Sequence, residues 1–346
     1  MRSAAAGWES SSALIRRRSS GSRGCGRCPA SPDPGRAGGP LLVWLIYNPV
    51  SGRGAGARSA ARAAAAFAAA GHRVEQAATS PPAGAAVAAR TAIAEGADRL
   101  VAIGGDGTVA QVAAGILAAD RTVPLALLPQ GTANVLALNL GLPRTPGAAI
   151  ATAMEGVTVR LDCGVLDGVP FLMSAGTGLL AGIVARADRT AKQRWGLAAY
   201  GLAGWSAGRE AVPVRYALTC DGQTEELDAT MIHVMNCGAI FRRRWEFAPG
   251  ISPVDGLLDV LAYRVATLPQ YLTAATAIVR GAPTATDLVV HRRATRVTLA
   301  ATPPAPVQRD GELAGETLAE ISVLPAALPV IVPAWSPWVA AQGSRP

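Results

Sequence analysis

The stretch "VAIGGDGTVAQV", residues 101 to 112, sets a short apolar run, a glycine-rich turn holding one carboxylate and an apolar-periodic segment in immediate succession. That order predicts a buried strand leading through a tight turn into a helix. The glycines of GGDGT let the backbone turn sharply and approach a ligand closely, while the helix beyond offers unpaired N–H groups and the positive end of its dipole. Asp106 inside the turn would repel a bare phosphate. It has a role if Mg²⁺ lies between the two, or if it orients an acceptor hydroxyl. The bland alternative is an ordinary strand-to-helix junction whose aspartate caps its own helix.

The same alternation extends on both sides. "LLVWLIY" is followed by a helical stretch from Ser59 to Ala70 ending at Gly71, then "VEQAAT", then Ala83 to Ala94 before Gly96. "LVAI", a helix from about Thr108 to Ala119, "PLALLP" and a helical "ANVLALNLGL" closed by Pro143 complete the series. Short apolar runs alternating with Ala-rich helices predict a parallel sheet with crossover helices. Two further turns follow strands as GGDGT does. "YNPVSGRG", residues 47 to 54, offers Asn48 and Ser51 to phosphate oxygens, and "LLPQGTANVLALNLGLP" puts Thr132 and Asn134 at the start of a helix. Three such turns at the carboxyl ends of parallel strands converge on one crevice, the usual ligand position in an open α/β sheet.

Near residue 157 the texture changes. "VTVRLDCGVLDGVPFLMSAG" and "VRYALTCDGQTEELDATMIHVMNCG" are strand-like, the latter with a hairpin signal at Asp221-Gly222, and helical interludes run from Asp188 to Arg209 and near Leu268 to Arg280. The expected organisation is an α/β domain over residues 41–160 and a mainly antiparallel β domain over 161–333, whose last segment has the option of returning to the first domain. Residues 334–346 form a tail, and residues 1–40 are a disordered basic tail or a mis-assigned start.

Composition narrows the chemistry. The net charge is +8, but residues 1–40 hold seven arginines against Glu9 and Asp33, so the basic excess belongs mostly to the tail and disfavours a nucleic-acid partner. No apolar run follows those arginines to make a secretory signal, and Leu41 to Tyr47 is too short to span a bilayer, so the expected compartment is the cytoplasm. Cys25 and Cys28 form a lone CxxC without a second ligand pair, and His72, His233 and His291 are scattered, which leaves a zinc centre or a Ser/His/Asp triad without support. Lys192 is the only lysine. A Walker phosphate loop and a protein kinase each need a lysine in a context that Lys192 does not have. If the chain binds a nucleoside triphosphate, it does so through backbone amides, arginines and metal.

NPVSG, GGDGT, PQGTAN, SPVDGLLDV and RDGE, in that order from about residue 42 to 333, resemble the catalytic domain shared by diacylglycerol kinases, sphingosine kinases and the bacterial lipid kinases similar to them. The resemblance implies ATP- and Mg²⁺-dependent transfer of the γ-phosphoryl group to a lipid hydroxyl, with diacylglycerol or a related lipid of phospholipid metabolism as acceptor. The reaction is expected between an N-terminal open parallel α/β domain and a C-terminal antiparallel β-sandwich domain. It places nucleotide contacts on Asn48, Pro49, Val50, Ser51 and Gly52, on Gly104, Gly105, Asp106, Gly107, Thr108, Val109 and Ala110, and on Thr79 and Thr132. It places metal contacts on Ser252, Asp255 and Leu257, the first and last through backbone oxygen, and joins Asp162 to the Asp106 network through water and metal. Glu312 matches the proposed general base. A lipid alcohol has a very high pKa, so a carboxylate there takes the proton late, as charge develops in transfer. The alternative for Glu312 is a surface glutamate on an exposed Asp-Gly hairpin.

The chain also departs from its relatives. Many continue GGDGT with an Asn-Glu pair where this chain has Ala110 and Gln111, and bacterial diacylglycerol kinases often carry an aspartate where Val135 stands. These departures keep open a sphingoid-base kinase, an NAD kinase, and a nucleotide-binding homologue without kinase activity, although an NAD kinase would lack NPVSG. Trp195, Tyr200 and Trp205 near Lys192 and Arg194 suit a membrane-facing or acyl-lining helix as well as a core helix, and Arg242, Arg243 and Arg244 suit anionic headgroups as well as solvent. The expected setting is peripheral contact with a lipid substrate at the inner membrane face. A homodimer is a state that the sequence leaves open.

Overall fold

The computed structural model describes residues 39–80, 84–186, 212–239, 247–265, 267–279 and 287–342. The first half alternates as the apolar pattern requires: β1 (Leu42–Tyr47), α1 (Ser51–Ala69), β2 (Arg73–Ala78), α2 (Gly84–Ala94), β3 (Arg99–Gly104), α3 (Asp106–Leu117), β4 (Leu125–Pro129), α4 (Val135–Asn139) and α5 (Pro146–Glu155). Strands then dominate: β5 (Val157–Leu166), β6 (Val169–Phe171), β7 (Ser174–Gly178), α6 (Leu179–Arg186), β8 (Val214–Cys220), β9 (Gln223–Ala229), β10 (Met231–Met235), β11 (Leu258–Tyr263), α7 (Leu268–Val279) and β12 (Val289–Ala294). They close with β13 (Arg296–Thr302), β14 (Pro306–Arg309), β15 (Glu312–Glu316), β16 (Ala319–Val332) and α8 (Pro337–Gln342). The expected helix from Asp188 to Arg209, with Lys192, Trp195, Tyr200 and Trp205, lies outside the described residues, as do Arg242 to Arg244, Cys25 and Cys28.

β1, β3 and β4 are continuous apolar runs because both of their faces are covered. Val43, Leu45, Val101, Ile103, Ala126 and Leu128 pack with α1 and α5 on one side. Ile46, Leu100, Ala102, Leu125 and Leu127 meet α2 and α3 on the other. The strand order β2-β1-β3-β4-β16-β13-β8-β9 makes one ten-stranded sheet, parallel from β2 to β4 and antiparallel from β16 onward, with β5 and β6 attached through β16. A six-stranded antiparallel sheet, β12-β11-β10-β7-β14-β15, lies against its second half. Between them Tyr216, Leu218, Val297, Leu299 and Ile321 face Ile232, Val234, Val260 and Val307. The architecture is an N-terminal parallel α/β layer followed by an antiparallel β-sandwich.

β16 joins the halves. Its first part is flanked by β13 and β5, and its second by β5 and β4, where Val330 pairs with Leu125. A bulge between Leu324 and Leu328 shifts the register against β5, and Asp162 stands opposite it. The Asp162 carboxylate is fully buried and accepts the Ala326 N–H at 2.6 Å and the Gly256 N–H at 2.7 Å. One side chain thus seats the bulge and ties the 252–257 loop to it.

Two expected helices differ in extent. α1 starts at Ser51 rather than Ser59, and the helix expected over "ANVLALNLGL" shrinks to Val135–Asn139, bounded by left-handed Asn134 (φ +48°) and Gly141 (φ +71°). The Asp221-Gly222 hairpin is present between β8 and β9.

On the outer face of the six-stranded sheet, His233 is 2% exposed, sits edge-on to Phe247 with ring centroids 4.8 Å apart, and has neither ring nitrogen hydrogen-bonded. Burial lowers its pKa to about 3. The unfolded chain protonates this histidine near pH 6.5 while the folded chain does not, so stability is complete above that pH and falls as the pH descends toward 3. The slope approaches about 1.4 kcal/mol per pH unit. Urea unfolding of wild type and His233→Leu between pH 7.5 and 4 is expected to show a flatter acid limb in the variant. Parallel limbs would mean that the folded state takes up the proton.

Candidate active site

β1, β3 and β4 are adjacent, so the turns that follow them open side by side at one edge of the sheet. The Asn48 N–H donates to the Ile103 carbonyl (3.0 Å) and the Gln130 N–H to the Gly104 carbonyl (2.8 Å), which stitches the three turns together. In the first turn Asn48 Oδ1 accepts the Val50 N–H at 3.1 Å, and the Ser51 hydroxyl donates to the Asn48 carbonyl at 2.8 Å. Those atoms hold the turn's own shape. In the third turn Asn134 folds back, its Oδ1 accepting the Gly131 N–H at 2.8 Å and its Nδ2 donating to the Gly131 carbonyl at 2.7 Å. Thr132 is exposed on this turn.

The second and third turns touch backbone to backbone. A Cβ at Gly131 would stand 2.6 Å from the Gly105 Cα, a distance that real side chains do not tolerate. Gly131→Ala is expected to push the turns apart at a cost of about 1–3 kcal/mol, the range for overpacking. Thermal unfolding checks this, and an unchanged midpoint would refute the tight contact.

Asp106 does not cap its own helix. Gly105 is the N-cap of α3 and makes no side-chain cap, whereas the Asp106 carboxylate accepts the Val135 N–H at 3.1 Å and the Leu136 N–H at 3.2 Å. It therefore fastens the second turn to the start of α4. Burial raises its pKa, and these backbone N–H groups pull in the opposite direction.

The first turn and the start of α3 form one wall of a cleft of about 680 Å³, within the range of small-molecule sites, and the third turn does not line it. Asn48, Pro49, Val50 and Thr79 line it from the first two strands, and Gly107, Thr108, Ala110 and Gln111 from α3. The positions where relatives carry the Asn-Glu pair thus face the cleft. The opposite wall is Val169 and Pro170 of β6 with Arg309, Asp310 and Glu312 of the β14–β15 hairpin. The structure brings Glu312 to the same space as Asn48, Thr79 and Thr108. Ser51, Gly52, Gly104, Gly105, Asp106, Val109 and Thr132 are not among the lining residues.

Asp310 and Gly311 make the two-residue hairpin turn, with φ of +45° and +82°. This hairpin is anchored. Asp310 accepts three backbone N–H groups, from Leu172 (2.8 Å), Met173 (2.9 Å) and Ser174 (3.0 Å), and the Gln308 Oε1 accepts the Gly311 N–H at 2.9 Å. Burial raises the Asp310 pKa against the pull of those N–H groups. The hairpin is held from inside while Glu312 stays exposed on its cleft side. Sequence reasoning passed over Asp310 and Arg309. The DG dipeptide marks the turn, but nothing local announces partners more than 130 residues away.

Ser252, Asp255 and Leu257 lie on the loop before β11 and do not line the cleft. The Ser252 hydroxyl accepts the Val254 N–H at 3.3 Å, and Asp255 accepts the Leu257 N–H at 3.0 Å while pairing with Arg293. Asp162 is committed to Gly256 and Ala326, as described above. Among the described residues no group of three His, Cys, Asp or Glu side chains could hold a metal.

Residues 42–166 match the diacylglycerol kinase catalytic domain, and residues 174–332 match the YegS C-terminal NAD kinase beta sandwich-like domain. A diacylglycerol kinase of Mycobacterium tuberculosis is 31% identical over 301 residues, covering 84% of this chain and 95% of that protein. One from Bacillus subtilis is 29% identical over 292 residues with the same coverage of both. An uncharacterized protein of Synechocystis is 32% identical over 243 residues, 69% of this chain, and the matched part spans only 56% of that longer relative. The crystal structure of a diacylglycerol kinase from Bacillus anthracis shares the fold, with a TM-score of 0.67 at 20% identity over 85% of this chain and 97% of its own. The class is that of two-domain chains in which an α/β catalytic layer precedes an NAD kinase-like β-sandwich. Within it, the chain belongs to the diacylglycerol kinase-like lipid kinase family.

Proposed function

We propose that the protein is an ATP-dependent kinase that transfers the γ-phosphoryl group to the hydroxyl of diacylglycerol or a closely related membrane lipid. The observation that carries this reading is the cleft itself, which is lined by Asn48 to Val50, Gly107 and Thr108 of one domain and by Glu312 of the other. Family membership supports this reaction class. Asn48, Thr79 and Thr108 stand where they would hold the nucleotide. Glu312 stands where a carboxylate would receive the acceptor proton as the hydroxyl oxygen bonds to the γ-phosphorus and the bond to the ADP oxygen breaks. Magnesium carried in with the nucleotide would neutralise phosphate charge. The acceptor resides in a bilayer, so the enzyme meets it as a peripheral protein at the inner membrane face. No described helix is long and apolar enough to cross a membrane.

The test is transfer of label from ATP to a total lipid extract, and separately to diacylglycerol, sphingosine and NAD. Label in diacylglycerol supports the reading. Label only in sphingosine or only in NAD would move the acceptor class, and nucleotide binding without transfer to any of them would leave a binding protein.

A further inference from the structure

Arg309 ends β14 and lies directly opposite Glu312 in the hairpin register, so the two side chains leave the same face of the strand pair. Both line the cleft, and Arg309 is the only cationic side chain among the described residues that do. Its guanidinium is partly buried and carries five N–H donors, yet it makes no hydrogen bond or ion pair with any described residue. The nearby carboxylates do not take it up. Asp310 has both oxygens on backbone N–H groups, and Asp167 accepts the Glu320 N–H at 3.0 Å. Burial lowers the Arg309 pKa even though Asp310, Glu312 and Asp167 all pull it upward. A desolvated cation with unused donors is costly unless an anion completes it, and the planar fork of arginine matches phosphate oxygens.

We propose that Arg309 is the cleft's own oxyanion ligand, gripping a phosphate beside the acceptor hydroxyl: the terminal phosphate of the nucleotide, or, where the related lipid is a phospholipid, its headgroup phosphate. Its place beside the reacting hydroxyl rests on the lipid kinase reading. The anion site itself does not. Arg309 holds the phosphate while Glu312, its neighbour across the hairpin, remains free to accept a proton. The two opposite charges share one face of the hairpin without forming an ion pair, which leaves the guanidinium fork open to an anion.

Titration calorimetry on the full chain tests this with tripolyphosphate, ATP, adenosine and monomeric short-chain phosphatidylglycerol, using wild type, Arg309→Gln and Arg309→Lys. Arg309→Gln is expected to weaken tripolyphosphate and ATP by about 10- to 100-fold, the worth of lost charge-assisted hydrogen bonds, with adenosine unchanged. Arg309→Lys should recover part of the loss, because it keeps the charge but not the fork. The ligand-free thermal midpoint should stay or rise in Arg309→Gln. A loss confined to phosphatidylglycerol would support the same grip with the lipid headgroup as its source. Equal anion affinities in wild type and Arg309→Gln would overturn the proposal, as would no anion binding by wild type, or a lowered midpoint with a matching loss for adenosine. Anion binding that depends on Arg309 without transfer to lipid would defeat the kinase reading alone. Transfer that ignores Arg309 would defeat this proposal alone.

Discussion

Glu312→Gln is expected to lower phosphoryl transfer to lipid by about 10²- to 10⁴-fold, the usual contribution of a positioned general base. Glutamine keeps the size of the side chain and removes only its capacity to take a proton. Glu312 is exposed and accepts no described hydrogen bond, so the exchange leaves no structural donor unpaired. The hairpin that carries it is fastened by Asp310 and Gln308 instead. Thermal stability and nucleotide affinity should therefore stay within about twofold of wild type while turnover collapses, the pattern of a group that acts in the transition state. Measured rates of label transfer and a separate nucleotide titration check both halves. Equal turnover in the two proteins would remove Glu312 from the reaction.

Asp162→Ala is expected to destabilise the fold by about 2–5 kcal/mol, because two buried backbone N–H groups lose their acceptor together. Gly256 belongs to the loop before β11 and Ala326 to the bulge of β16, so one truncation frees both. Asn236 donates to the Asp162 carbonyl at 2.9 Å, and the Asp162 N–H donates to the Pro253 carbonyl at 2.7 Å; these backbone bonds survive the substitution. The damage should thus be a loosened seam and not a missing strand. Asp162→Asn keeps the shape but turns an N–H toward an N–H, and should fall between wild type and alanine. Urea unfolding measures the series, and an alanine variant within about 0.5 kcal/mol of wild type, the scale of an ordinary surface change, would show that Asp162 does not hold the bulge.

Particular residues show why some of this was legible in the sequence and some was not. The parallel strands read clearly because β1, β3 and β4 are covered on both faces and, apart from Arg99 at the start of β3, are apolar. The start of α1 was missed because glycines mark its first turns, and glycine argues against helix. The structure explains one of them: a Cβ at Gly56 would lie 2.0 Å from the Asn48 carbonyl, so the helix can pass the first turn only with no side chain at that position. At the site, the glycine turns and the DG hairpin were visible because local chemistry writes them. The partners of Asp106, Asp162, Asp310 and Arg309 were not, since each is fixed by chain segments distant in sequence that meet only when both domains have formed.

β16 also sets an order of events. It follows every other described strand in the chain, yet it covers the edge of a sheet whose other strands precede it, through a pairing between residues more than two hundred positions apart. Until Val330 arrives, β4 presents a bare edge with unpaired N–H and C=O groups, the kind of surface that recruits a second chain. The α/β half therefore cannot finish its sheet before β16 is made. Folding of this sheet must wait for β16, and so long-range a pairing slows it and exposes it to misassembly. A fragment stopped before residue 319 would be made at full rate and lost to aggregation.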